Sequence, residues 1–351
     1  MPAYTETNCR AGREPRYLVL MLTEACNLRC VYCYRGEPGS SRPMSREVVA
    51  RSLERAAGSG LPFHVQLTGG EPTLEPALVE WVVSLVRQKG WPATIGLQTN
   101  GSLLDRSMVR ICRHYDIQVG VSLDGPPDVQ ERMRGEAAAT FRGLQLLCEH
   151  EVPFRVTTVV TGQNVQALGR LALLLGTLPA ARGLGLDLLV SRGRALAGGR
   201  VTQPTAPELK NGLQRLSQAL NWINENRTHP VKLREWELLQ RAAAGEGRHR
   251  FCHAATGEAM AVLPDGSVYP CAQTAGDPRF ACGSVTAPGA PDLVCLGGGR
   301  PADERCRDCS LAGFCPGDCP SRQHYNDAPD AGLACVMYRT LWAEFSKRSL
   351  P

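Results

Sequence analysis

The stretch that decides the reading is Tyr17-Leu-Val-Leu-Met-Leu22-Thr-Glu-Ala-Cys26-Asn-Leu-Arg-Cys30-Val-Tyr-Cys33. Six apolar residues run unbroken, a length that suits a strand buried on both faces, and a loop with three cysteines follows at once. Working outward, similar short apolar runs recur at 64–68, 94–98, 118–122, 155–160 and 184–190. Helical patterns separate them at 45–57, 76–88, 104–114, 137–150 and 165–178. Strand, helix, strand at this spacing predicts repeated βαβ units and a parallel sheet, closed as an open barrel or doubly wound. In either arrangement the ligand sits at the carboxyl ends of the strands, which is where the cysteine loop falls.

The pattern stops at a Gly/Arg-rich break over 191–201. Two helices are expected next, at 207–226 and 231–244, the second ended by Gly245 and Gly247. From Cys252 onward the texture is Cys, Gly and Pro, with short strand-like pieces at 260–263 and 267–269. A segment with so little continuous apolar sequence needs something besides a core to hold it, and metal is the expected staple.

Composition narrows the class. The chain has 351 residues, 43% hydrophobic and 21% charged, which is too apolar for disorder and long enough for one large domain plus a smaller one. A net charge of +5 implies no nucleic-acid or membrane-surface partner. No apolar run is long enough to span a bilayer, and the N-terminus has no secretory pattern, so a cytoplasmic location is expected. Fifteen cysteines in a reducing compartment argue for metal or cluster ligation over disulfides.

The triplet Cys26-x3-Cys30-x2-Cys33 can hold three irons of a [4Fe–4S] cube and leave the fourth open for another ligand. The alternative is a structural zinc or iron–sulfur site completed by a distant cysteine. Near the other end, Cys252 is followed by Gly266 and Cys271, then by Cys306-x2-Cys309-x5-Cys315-x3-Cys319 and Cys335. There is no P-loop and no Gly-x-Ser-x-Gly elbow.

Together these motifs resemble the radical S-adenosylmethionine (SAM) enzymes, and the C-terminal cysteine string is similar to their SPASM domain. The resemblance covers nearly all of residues 16–340. It implies an α/β fold, a partial (β/α)6 TIM-like barrel carrying a Cys-rich iron–sulfur SPASM domain. The expected division is an N-terminal extension at 1–15, the barrel at 16–203, a helical linker at 204–250 and the SPASM domain at 251–345. It also implies that SAM chelates the open iron and is cleaved by one electron to a 5′-deoxyadenosyl radical.

Site residues carry over by position. Thr68-Gly69-Gly70-Glu71-Pro72 resembles the loop whose backbone meets the SAM amino group, and two glycines allow such an approach. Ser122 and Arg134 match a Ser and an Arg that contact the ribose and carboxylate. Tyr32 and Leu189 match residues against the adenine. The resemblance implies three [4Fe–4S] clusters. Cys26, Cys30 and Cys33 hold the first. Cys306, Cys309, Cys315 and Cys335 saturate an outer auxiliary cluster, while Cys252, Cys271 and Cys319 hold an inner one. Many relatives have a fourth inner ligand shortly after the first; this chain has none between Cys252 and Cys271. Either that iron is open or another thiol closes it, with Cys282 preferred over Cys295. Cys112 and Cys148 are expected in the core, and Cys9 has no assignment.

Enzymes of this type mostly act on peptides or proteins. Sulfatase maturases carry an Asp directly after the cysteine matching Cys271, where this chain has Ala272. Asp277 and Asp265 lie nearby without matching, so Asp277 and Cys282 are the candidate catalytic groups. The stretch around Cys271 is closer to peptide thioether maturases, which makes crosslinking of a ribosomal peptide the expected reaction. The expected partners are a peptide or protein substrate, a separate leader-recognition protein and a flavodoxin- or ferredoxin-type electron donor. The alternatives are sulfatase-maturase-like dehydrogenation, modification of a small molecule or tetrapyrrole, and a non-catalytic Fe–S carrier or zinc-stapled binding protein.

Overall fold

The computed structural model describes residues 14–37, 42–197, 199–246, 251–297, 304–313, 315–326 and 332–347. Most of the N-terminal extension, with Cys9, lies outside them.

Six βα units form first. They are β1 (Tyr17–Met21), α1 (Arg46–Ala57), β2 (Phe63–Thr68), α2 (Pro76–Gln88), β3 (Ala93–Thr99), α3 (Arg106–His114) and β4 (Gln118–Ser122), then the pair α4 (Pro127–Met133) and α5 (Ala137–Glu149), then β5 (Phe154–Val160), α6 (Leu168–Gly176) and β6 (Ala181–Leu188). After them come α7 (Ala206–Asn224), β7 (Lys232–Leu233), α8 (Arg234–Arg241), β8 (Ala259–Val262), β9 (Val268–Tyr269), α9 (Glu304–Arg307), α10 (Pro320–Tyr325) and α11 (Leu333–Ser346). Helix starts follow their capping residues. Ser45 and Asp105 each accept from the N–H of the third residue of the helix they cap, Val48 in α1 and Met108 in α3, and Thr205 with Glu208 makes a full capping box on α7.

The strands make one open sheet in the order β7-β6-β5-β4-β3-β2-β1-β8-β9. Pairings from β1 to β6 are parallel throughout, as the alternation of runs predicted. Two features depart from the sequence reading. The break before β5 holds an extra short helix, α4. The piece near residue 260 does not belong to a separate sheet: β8 pairs in parallel with β1, Tyr17 opposite Ala259 and Leu20 opposite Val262. The cysteine-rich segment therefore extends the barrel sheet directly. The helix expected at 231–244 is also shorter, because β7 takes its first residues and pairs with β6.

The two faces of the sheet differ in chemistry. Outward side chains such as Val65, Leu67, Leu97, Val121 and Leu184 are buried against Val49, Leu53, Val82 and Val86 of the helices. Burial of this apolar layer supplies most of the stability. The inward face is polar, with Tyr17, His64, Gln66, Gln98, Ser122, Arg155 and Asp187 on strands whose alternate residues are buried. Beside β1 this face is covered by Ala254, Ala261, Leu263 and Tyr269, which bury Val19 and Met21. Tyr17 stacks on His64 and on His253 at centroid distances of 4.9 and 5.7 Å.

Candidate active site

The three loop cysteines leave β1 at its carboxyl end and are half-buried free thiols. The loop is built against the turn after β2. The Gly70 N–H donates to Thr23 O at 2.7 Å and the Glu71 N–H to Ala25 O at 2.9 Å. Gly69 has φ +146°, and a Cβ on either glycine would overlap the carbonyl of Thr23 or Ala25. Both glycines thus admit the root of the cysteine loop itself. Glu71 is fully buried. Its carboxylate accepts from Thr73 Oγ1 (2.6 Å), Thr99 Oγ1 (2.7 Å), Asn100 N (2.7 Å) and Thr73 N (3.1 Å). Burial pushes this carboxyl up and those four donors oppose it. The side chain ties the loops after β2 and β3 together.

A second carboxylate, Asp124 just beyond β4, organises the opposite side. It is wholly buried and accepts from the Tyr32 hydroxyl, Arg134 Nε (2.7 Å), Val159 N (3.0 Å) and Thr158 Oγ1 (3.2 Å). Arg134 lies 5.1 Å above the Tyr32 ring, and its Nη1 is 4.0 Å from Cys30 Sγ. Burial disfavours the guanidinium charge, but Asp124, Tyr32 and Cys30 outweigh that and hold it protonated. The sequence singled out Tyr32 and Arg134 and gave Asp124 no role. Its donors come from separate segments, so no spacing reveals it. Ser122 Oγ accepts from Gln98 Nε2 at 3.0 Å on the inward face. Leu189 is buried in one apolar group with Tyr32, Val129, Met133, Ala167 and Val201. Both residues expected against adenine therefore share one apolar patch.

Of the C-terminal thiols, Cys252, Cys271 and Cys319 lie together. Burial pushes Cys271 up to about 12 and Cys319 to about 11, with Cys319 and Cys252 adding to the first and Cys252 and Asp187 to the second. Gln273 binds this group: its N–H points at Cys271 Sγ (3.4 Å), and its Oε1 accepts from the Ser321 hydroxyl and lies 3.6 Å from Cys319 Sγ. The segment after β6 links the two sites: the Arg194 N–H donates to Cys33 O at 2.9 Å, and the Arg192 guanidinium donates to Gln273 O and to Ala275 O (2.9 Å). Tyr34 lies beside the first, next to Cys33 in sequence. Burial raises its phenol, Arg35 opposes, and the charges of Cys33 and Cys271 both add. Cys309 sits in the outer set. Burial pushes it up, but the Leu311 N–H and Arg339, whose Nε is 3.4 Å from its sulfur, hold it below the ordinary thiol range. Arg339 also feels Cys335 and Cys306.

Cys282 is placed differently. It is buried in the main core, its thiol 3.5 Å from Phe280 O, and the groups acting on it are Val294 and Asp292. The structure does not draw it into the group of Cys252, Cys271 and Cys319. Cys295 is buried as well, as is Cys112 in the core. The Asp277 carboxylate accepts from Arg279 Nη2 (2.6 Å), Tyr325 OH (2.8 Å), Arg279 Nε (3.0 Å) and Arg279 N (3.1 Å), and Arg279 holds it well below the usual carboxylate range. A carboxylate so fully engaged fastens its own turn to α10.

Among the described residues no three His, Cys, Asp or Glu side chains close on one point as a single ion requires. A four-iron cube is wider than an ion and spreads its thiolates, so three free thiols on one loop with Arg134 at their edge fit a cluster better than zinc.

Residues 20–175 match the radical SAM superfamily. Among known proteins, the serine-type anaerobic sulfatase-maturating enzyme of Klebsiella aerogenes is 26% identical over 340 residues, 90% of this chain and 81% of that one. The structure of anSMEcpe with bound AdoMet and the Cp18Cys peptide superposes with a TM-score of 0.77 at 22% identity, covering 95% of this chain and 97% of that chain. SuiB of Streptococcus suis bound to its precursor peptide SuiA gives a TM-score of 0.64 at 15% identity, covering 90% and 74%. These matches set aside the non-catalytic carrier and the zinc-stapled binding module. No helix among the described residues is long and apolar enough to cross a membrane.

Proposed function

From a chain that carries a radical SAM domain and is an enzyme of that kind, we propose a maturase that abstracts hydrogen from a peptide or protein side chain, with crosslinking of a ribosomal peptide as the reaction. The observation that carries this reading is the segment after β6, where the Arg194 N–H donates to Cys33 O and the Arg192 guanidinium donates to Gln273 O and Ala275 O, which ties the loop of Cys26, Cys30 and Cys33 to the turn that carries Cys271. A cluster on the first site, with SAM, supplies one-electron cleavage and a hydrogen-abstracting radical. The chain's residues supply placement. Asp124 fixes Arg134 and Tyr32, leaving Arg134 Nη1 for an anionic group near Cys30. Leu189 and Met133 offer the adenine an apolar bed. The polar inward face, with Gln98, Ser122 and Asp187, can hydrogen-bond an extended backbone threaded between the two sites.

Cys252, Cys271 and Cys319 are three ligands for an inner cluster, and Cys282 stands apart from them. That favours an open position suited to a substrate thiolate. Cys306, Cys309, Cys315 and Cys335 complete an outer cluster, making three in all. A separate leader-recognition protein and a flavodoxin- or ferredoxin-type donor belong to the same proposal. The likeness over 90% of the chain to a sulfatase-maturating enzyme supports side-chain dehydrogenation as the second reading. Against it, Ala272 follows Cys271 and Asp277 is engaged with Arg279.

The test combines reduced enzyme, SAM and a Cys-containing peptide encoded beside the gene. Loss of two hydrogens with thioether fragments in tandem mass spectra is expected. Turnover that yields an aldehyde and no crosslink would replace the first reading with the second.

A further inference from the structure

Beside the cysteine loop, the segment after β6 makes a tight contact of its own. Gly193 has φ +60°, and a Cβ there would lie 2.5 Å from Cys33 O and 2.6 Å from Gly36 N. Only glycine lets the segment seat this closely. The next residue, Arg194, donates its backbone N–H to Cys33 O at 2.9 Å. Its guanidinium Nε and Nη1 are sealed from solvent and have no hydrogen-bond partner in the structure. Buried donors without acceptors are rare, and a charged one is costly to leave unmade.

The acceptor must come from one of two sides. A cavity of about 340 Å³ lies outside, lined by Arg29, Val31, Glu37, Arg194, Ala197 and Arg200. An anion there would meet atoms open to solvent, whereas Nε and Nη1 are closed off. The inner side is the cysteine loop, against which Arg194 is held by its own N–H on Cys33 O and by the close seat of Gly193 on Cys33 O and Gly36 N. We propose that Arg194 donates these two N–H groups to the sulfurs of the cluster held by Cys26, Cys30 and Cys33, and so raises its reduction potential. This rests on the reading that the loop holds a cluster. Arg194 is then a positioning and tuning residue. Reduction adds one negative charge, and a guanidinium donating to sulfur favours the reduced form.

The experiment is a reductive titration with dithionite of the reconstituted enzyme without SAM. It follows by electron paramagnetic resonance the signal that Cys26/Cys30/Cys33→Ala abolishes. In Arg194→Met the cluster should be about tenfold harder to reduce, a negative shift of about 59 mV for one electron. Arg194→Lys keeps the charge without the planar fork and should shift less in the same direction. Arg200→Met, on the exposed cavity wall, should leave the potential unchanged. A wild-type potential in Arg194→Met at full iron content overturns the proposal, and so does that potential together with weakened SAM binding, which would assign the guanidinium to SAM. Should Arg194→Met fail to load iron, a wild-type potential in Arg194→Lys overturns it equally. Failure of the underlying reading is distinct: iron content would then not fall in the triple-alanine variant.

Discussion

The loop of Cys26, Cys30 and Cys33 and the group of Cys252, Cys271 and Cys319 differ in the charges that surround one of their thiols. Burial pushes the Cys30 thiol up, Arg134 and Arg194 oppose it, and Cys33 and Asp124 add to it. Burial, with Glu71 adding, pushes Cys26 up to about 11. Cys271 and Cys319 face one another, Cys252 and, for Cys319, Asp187, so burial and like charge act together. The first group therefore has guanidinium charge beside one of its thiols, Arg134 Nη1 lying 4.0 Å from Cys30 Sγ. In the second, burial and like charge favour neutral thiols, so a cluster held there, as proposed, would have to displace their protons.

The largest effect that could break this comparison comes from removing ligands. Cys26/Cys30/Cys33→Ala should lower iron from about twelve to about eight per chain and abolish 5′-deoxyadenosine formation. Cys271→Ala should also lose about four irons while still cleaving SAM. Iron and sulfide assays with product chromatography decide both, and equal loss of SAM cleavage in the two variants would erase the distinction. Next is metal removal. Chelation should deprotect amides of residues 252–297 and 304–326 to hydrogen exchange far more than those of β2–β5. Uniform deprotection would mean that the barrel also depends on metal.

A smaller effect belongs to the loop's scaffold. Glu71→Ala leaves the hydroxyls and amides of Thr73, Thr99 and Asn100 without their acceptor. We expect a loss of about 3 kcal/mol in denaturant unfolding, with weaker cluster loading at the first site only. The smallest effect is His64 on the inward face, whose pKa burial lowers. A base with a lowered folded pKa stabilises above its unfolded value of about 6.5 and loses that contribution as pH falls through the folded one. Melting temperature should therefore decline more below pH ~6.5 in the wild type than in His64→Gln.

Much of this architecture was legible because it is local. Each βα unit shows its own apolar run and helical face, and the bounds of β4 and α2 coincide with the runs read from sequence. The cysteine spacings are local too. What escaped is assembled from distant segments. Asp124 gathers Tyr32, Arg134, Thr158 and Val159 with no recurring interval. The partner of β8 could not be read from four apolar residues, since any strand would bury them. Arg194 reads as an ordinary charge in a Gly/Arg-rich break, and only its sealed nitrogens distinguish it. The Gly69-Gly70 pair was seen, but its nearest neighbour was the chain's own backbone.

The pairing of β8 with β1 also sets an order of assembly. β1 pairs with β2, about 45 residues on, and its other edge waits for β8, about 240 residues further along the chain. Until then a flat, apolar edge is open to foreign strands. Closing a contact between segments so far apart in sequence is slow, because loop-closure entropy opposes it. A barrel cut off at residue 203 would keep its six parallel strands β1–β6 and display that edge permanently. It should be recovered as aggregate, whereas the full chain protects its first strand with one of its last.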